Sequence, residues 1–119
     1  MAFVLKQSDT FTWPVAFDVP VDGGRHERQT FDGEFKRLPQ SKVGPIMADL
    51  QKIENFEDLE RITDIAADLL VGWSGVTGDD GKDIPYSQKA LEQVLEVPLV
   101  AVAVVKAYVD GVKGAKRKN

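Results

Sequence analysis

Near the start of the chain, 11-FTWPVAFDVPV-21 sets an apolar side chain at every odd position: Phe11, Trp13, Val15, Phe17, Val19 and Val21. Thr12, Pro14, Ala16, Asp18 and Pro20 occupy the even positions. Successive side chains of an extended chain point to opposite faces, so this period of two predicts a strand with one buried and one solvated face. Pro14 and Pro20 cannot donate ladder hydrogen bonds, which puts the strand at an edge or at the margin of a small sheet. Asp22-Gly23-Gly24 supplies hairpin turn chemistry. A return strand follows in 26-HERQTFDGEFKRL-38, with Phe31 and Phe35 on one face and Thr30, Asp32, Glu34 and Lys36 on the other. Gly33 between the aromatics marks a bulge or a close backbone approach. A two-stranded ribbon is marginal alone, so its aromatic face needs a cover.

Helical patterns later in the chain can provide it. In 41-SKVGPIMADLQKIEN-55, Val43, Ile46, Met47, Leu50 and Ile53 follow helical spacing; Ser41 reads as the N-cap, and Gly44-Pro45 as a delay to the regular helix. The next pattern, 55-NFEDLERITDIAADLLVGW-73, sets Phe56, Leu59, Ile62, Ile65, Ala66, Leu69 and Leu70 along one stripe. Asn55 stands where an N-cap belongs, acidic Glu57 and Asp58 occupy the first turn, and Gly72 closes the helix. Ser87 caps a short helix over 88–96, with Leu91, Val94 and Leu95 facing inward. Pro98 opens a last helix over 98–113, whose stripe is Leu99, Val102, Val105, Val109 and Val112. Val100, Val104 and Tyr108 broaden that stripe beyond what a surface helix needs. The expected fold is α+β, an N-terminal β-hairpin or small antiparallel sheet packed against three to four helices. The chain reads as one domain, with a β part over 1–38, a helical part over 41–112 and a basic tail over 113–119.

Charge and composition narrow the function classes. The net charge is −4, but residues 113–119 carry four basic groups and no acid, which leaves 19 acids against 11 bases in residues 1–112. An acidic body argues against nucleic acid as the main partner. There is no cysteine, which removes disulfides, thiolate metal sites and cysteine nucleophiles. The single histidine, His26, would need carboxylates as the remaining ligands of any zinc site. The opening MAFVLKQSDTF lacks the features of a signal peptide, and the longest apolar run, 97-VPLVAVAVV-105, is too short to span a bilayer. The expected location is the cytoplasm, with no membrane partner.

The segment 71-VGWSGVTGDDGKDIPYS-87 invites a chemical reading, and none fits. A phosphate loop would need glycine where Val76 stands and a hydroxyl residue where Asp83 follows Lys82, and Asp79, Asp80 and Asp83 would repel a phosphate. If Gly81 is taken as the sixth position of a calcium loop, Val76 becomes the first and Ser87 the twelfth, neither of them the required carboxylate. A serine–histidine–acid triad has only His26 to draw on, and no nucleophile elbow is present. Asp79-Asp80-Gly81 is good turn chemistry. The segment therefore reads as a connection with Trp73 packed inward, and no catalytic residue, cofactor or metal is expected.

Taken in order, 29-QTFDGEFKRLPQS-41 after the Gly-Gly turn, 71-VGWSGV-76, the Asp79-Asp80-Gly81 loop, 84-IPYS-87 and a Pro-initiated helix ending in Ala-Lys-Arg-Lys-Asn resemble the tail assembly chaperones of long-tailed bacteriophages. The resemblance covers nearly the whole chain, and Gly72, Trp73, Gly75, Val76, Asp80 and Gly81 are its most specific residues. It implies a non-enzymatic protein of the host cytoplasm, used while the tail is built and absent from the finished virion. It further implies binding to the tape-measure protein and recruitment of tail-tube subunits. A tape-measure chain exposes apolar stripes before the tube encloses it, and a small acidic partner with an apolar groove could shield them. Val100, Val104 and Tyr108 are the expected partner-binding residues; Trp73 and Val76 fit core and interface equally. Surplus apolar surface also allows self-association. The family often makes a longer product by ribosomal frameshifting, and Arg117-Lys118-Asn119 is compatible with a slippery A-AAA-AAC run. The competing expectation is a structural minor tail or connector protein retained in the particle, since an aromatic-faced hairpin suits strand addition in a ring.

Overall fold

A computed structural model describes residues 1–114 of the chain. Its elements run β1 (Thr10–Val21), β2 (Arg25–Lys36), α1 (Gln40–Gln51), α2 (Phe56–Leu69), β3 (Leu70–Ser74), α3 (Gln88–Leu95) and α4 (Val100–Lys113). The fold is α+β: a three-stranded antiparallel sheet of order β1-β2-β3 with four helices. Among the described residues no helix is long and apolar enough to cross a membrane. The basic tail beyond Gly114, including Arg117-Lys118-Asn119, lies outside the described residues.

β1 and β2 pair along their whole length, from Thr10 opposite Lys36 to Val21 opposite Arg25. The connection is three residues long, and Gly23 and Gly24 both take positive φ, which glycine alone adopts without steric cost. The odd residues of β1 face inward, and Val15 is completely buried with Phe31 and Phe35 of β2. β3 covers only Asp32–Phe35 of β2, so the ribbon runs on past it. Irregularity in the sheet falls between Glu34 and Phe35, where Val71 is the extra residue between Gly72 and Leu70, and not at Gly33. Gly33 is instead a site of close approach, since a Cβ there would lie 3.0 Å from Leu70 Cδ1 and 3.1 Å from the Phe35 ring.

The stretch expected to end the long helix becomes a strand. α2 stops at Leu69, and Leu70 already has extended backbone, φ −88° and ψ 109°. Leu69 and Leu70 are both fully buried: one closes the helix stripe, the other starts the sheet. Gly72 accordingly closes no helix. It lies opposite Glu34, whose carboxylate would be 2.6 Å from an added Cβ. The partition into a β part over 1–38 and a helical part over 41–112 gives way for the same reason, because β3 joins the ribbon from within the helical stretch.

Helix caps are mixed. Asn55 Oδ1 accepts from the Asp58 amide at 2.9 Å while Asp58 Oδ2 accepts from the Glu54 amide at 3.0 Å, a reciprocal cap. Ser87 Oγ accepts from the Ala90 amide at 3.1 Å. α1 departs from expectation: it starts at Gln40 after Pro39, Ser41 makes no cap, and Pro45 sits inside the helix with no amide for the Ser41 carbonyl. Phe56, read as part of the α2 stripe, is exposed in the first turn. α4 is the central helix, packed against β1, α1, α2 and α3. Its valines are indifferent helix formers, so burial holds them helical.

Candidate interaction surface

The reassignment of α4 decides where a partner can bind. Val100, Val104 and Tyr108, expected to be the docking face, are fully buried in the core. A helix contacted on several sides buries a wide arc, and the extra apolar residues supply that arc rather than a surface. The converse also occurs: Leu99 and Val112, read as ends of the inward stripe, are exposed. Tyr108 packs against Phe11 and Phe35 with ring centroids 5.7 and 5.8 Å away. Its hydroxyl is buried with no hydrogen-bond partner. Burial raises its pKa above the usual 10.0, and the nearby Leu38 backbone and Arg37 charge offset only part of the rise.

The Trp73 region is an ordered platform. The Trp73 indole Nε1 donates to the Ile84 carbonyl at 2.8 Å, and the ring meets Tyr86 and Phe31 edge-on at 5.0 and 6.2 Å. The Tyr86 hydroxyl donates to the Leu70 carbonyl at 2.9 Å. Between these anchors the chain forms a miniature hairpin: the Ile84 amide donates to the Val76 carbonyl at 2.8 Å, Thr77 pairs with Asp83, and the Gly78 amide donates to the Lys82 carbonyl at 3.0 Å. Gly75 and Gly81 take positive φ at its two bends. Asp80 Oδ1 accepts from the Lys82 amide at 3.0 Å, so its carboxylate braces its own turn. Among the described residues no cluster of three or more His, Asp or Glu is placed to hold a metal ion. His26 stands exposed at the ribbon's far end, opposite Pro20.

A groove of about 410 Å³ runs beside this platform. Phe17 and Phe31 of the ribbon, Val76 of the loop, and Val94, Val97 and Val100 of the α3–α4 corner line it. The corner is apolar and outward: Val97 is 42% and Leu99 67% exposed. Leu99 also holds a left-handed backbone, φ 67° and ψ 2°, as the N-cap residue of α4, with no side-chain cap. It is the only described non-glycine residue with positive φ, and that conformation costs an L-residue roughly 1–2 kcal/mol. Exposed apolar side chains on a strained turn are costly for a chain with no use for them. Glu92 and Glu96 stand exposed on the same corner and make no ion pair among the described residues.

Sequence reasoning missed this surface because three separate segments form it. One signal was available: 96-EVPLV-100 is a turn between helices with large apolar residues on both sides of its proline, where turns normally carry polar ones. No protein-family model, curated protein or solved structure matches the chain.

Proposed function

We propose that this protein is a tail assembly chaperone of a long-tailed bacteriophage, which holds the tape-measure protein in solution during tail building and helps bring tail-tube subunits to it. The observation that carries this reading is the exposed Val97–Leu99 corner beside the groove lined by half-buried Phe17, Val76 and Val94. Such a surface suits the apolar stripe of an amphipathic helix, whose side chains at i, i+3 and i+4 enter a groove together. The ordered sequence resemblance supports the same class of protein. In this reading the protein acts in the host cytoplasm by binding alone and is left out of the virion. Release follows from competition by the polymerising tube. A frameshifted longer product belongs to the same reading, and a slippery run in the gene's last codons tests it.

Co-expression with the tape-measure protein, comparing wild type with a Val97→Asp/Leu99→Asp variant, tests the central claim. Wild type should keep the tape-measure protein soluble and co-purify with it. The variant should lose both effects while keeping its far-ultraviolet circular dichroism and melting temperature, since neither side chain is in the core. No complex with wild type, or full retention by the variant, refutes the proposal. The competing reading is a minor tail or connector protein kept in the particle. Mass spectrometry of purified virions separates the two, as only a structural subunit is present there in stoichiometric amount.

A further inference from the structure

Residues 1–9 precede β1 without regular structure, and they hold the densest run of exposed apolar side chains among the described residues. Phe3 is 82% and Leu5 86% exposed, with Met1 and Val4 exposed beside them. Polar side chains are few in this stretch: its only charged side chain within 1–7 is Lys6. At its root lies a second cleft, about 500 Å³, lined by Phe11, Trp13, Leu38, Tyr108 and Val112. Gln7 forms part of the same wall, so the exposed segment leaves the body at the mouth of the cleft. Arg37 closes one rim, its guanidinium 5.2 Å from the centre of the Phe11 ring. Val112, also part of the lining, stands 46% exposed.

We propose that two copies of this chain pair by exchanging residues 1–5, with Phe3 and Leu5 of each copy seated in the other's cleft between Phe11, Trp13 and Val112. Segment and cleft lie at the same end of the molecule. Two copies facing each other across that end therefore place each segment close to its partner's cleft, and a twofold axis closes the assembly. The area is sufficient. Side chains of this size bury on the order of 150 Å² each, so the four seated side chains of two exchanged segments remove roughly 600 Å² from water, and an equal area of cleft wall brings the total to about 1,200 Å², the lower bound for a stable interface. The cleft takes apolar groups because aromatic rings form its floor, and its volume is in the range that accepts groups of this size (about 300–1,000 Å³). The pairing does not rest on the tape-measure reading, and the Val97–Leu99 corner is not part of it.

Light scattering coupled to size exclusion, with sedimentation velocity on the untagged full chain from low micromolar to several hundred micromolar, tests the exchange. Wild type should be a dimer. Phe3→Asp/Leu5→Asp on the segment and Val112→Glu at the cleft should each weaken dimerisation by about 100-fold or more, because each inserts charge into a desolvated contact. Both variants should keep the wild-type melting temperature at concentrations where wild type is monomeric, since all three side chains lie outside the core. An equimolar mixture of the two variants should recover a heterodimer, because one copy then offers an intact cleft and the other an intact segment. A wild type that stays monomeric throughout, including one whose segment folds onto its own cleft, overturns the proposal. So does a segment variant that still dimerises, a mixture that forms no heterodimer, or an open series of larger assemblies.

Discussion

Replacing Trp73 by alanine tests whether the loop over 75–86 is held by the sheet. The indole is half-buried in β3, touches Phe31 and Tyr86 edge-on and donates to the Ile84 carbonyl at 2.8 Å. Truncating a buried aromatic to alanine costs about 3–5 kcal/mol, and partial exposure of this ring argues for the lower end. The lost hydrogen bond contributes about 1 kcal/mol of that loss, softened because water can reach the freed Ile84 carbonyl, which is itself only half-buried. The expected loss is therefore about 3 kcal/mol. In a domain of this length that lowers the melting temperature by roughly 10–15 °C. Trp73→Phe keeps most of the ring contact and removes the donor, so it should lose about 1–2 kcal/mol. Urea unfolding followed by far-ultraviolet circular dichroism measures both losses without depending on the indole's fluorescence. Hydrogen exchange adds the location: the amides of Gly78 and Ile84 should lose protection in Trp73→Ala before the β1–β2 ladder does, as both bonds belong to the miniature hairpin that the indole anchors. A loss under about 1 kcal/mol, or unchanged protection at Ile84, would refute the anchoring role.

Three further substitutions probe other parts of the fold. Gly111→Ala should destabilise by about 1–2 kcal/mol even though alanine is the better helix former, because its Cβ would meet Phe11 Cε2 at 2.8 Å and the Trp13 ring at 3.1 Å; thermal stabilisation would contradict that packing. Tyr108→Phe removes a buried hydroxyl that has no partner, so urea unfolding at neutral pH should show it no less stable than wild type. The same residue gives a pH signature: folded Tyr108 holds its proton more tightly than the unfolded residue, so its contribution is intact below pH 10.0 and is lost as pH rises from there through the raised folded value. Wild type should lose stability above about pH 10 more steeply than Tyr108→Phe, and equal slopes would count against the burial. Leu99→Asn should change stability by less than about 1 kcal/mol, since relief of the left-handed strain offsets the little packing lost, and under the proposed function it should weaken tape-measure retention in pull-down.

The parts of this fold legible in the sequence are those whose signal is local and repeated. The odd-position apolar run of β1 repeats from Phe11 to Val21, so its register and buried face are fixed without knowledge of the rest. Asn55 and Ser87 are legible as caps because capping needs only the amide three residues on. β3 was hidden because it is five residues long and follows α2 without a break, so Leu70 and Trp73 continue an apolar pattern that a longer helix explains as well. The excess apolar width of α4 was visible, but its meaning depends on how many elements surround the helix. A docking face and a central core helix present the same composition, and contact with β1 and three helices assigns Val100, Val104 and Tyr108 to the core. The groove itself has no linear signature, because Phe17, Phe31, Val76 and Val97 come together only after the ribbon, the loop and the α3–α4 corner are in place.

The sheet's edges bear on how such a protein would hold another chain. β1 is an outer strand, and Pro14 and Pro20 fall on one parity, so the missing amides lie on one side of the strand. Prolines are accommodated in paired strands where the absent donor faces the open edge, and there they withhold the bonds that an added strand would need. β2 past the reach of β3 is exposed and polar, with Arg25, His26, Glu27 and Arg28 in succession, a second device that discourages edge pairing. β3 is short and is followed at once by the bend at Gly75. The ribbon is thus poorly suited to strand addition in a ring, which was the physical motive for a connector subunit. Apolar surface is left free instead at a side-chain site, the Val97–Leu99 corner with its groove. Side-chain docking into grooves tolerates variation in the bound sequence more readily than an imposed strand register does, and the proposed role of holding a long chain needs that tolerance.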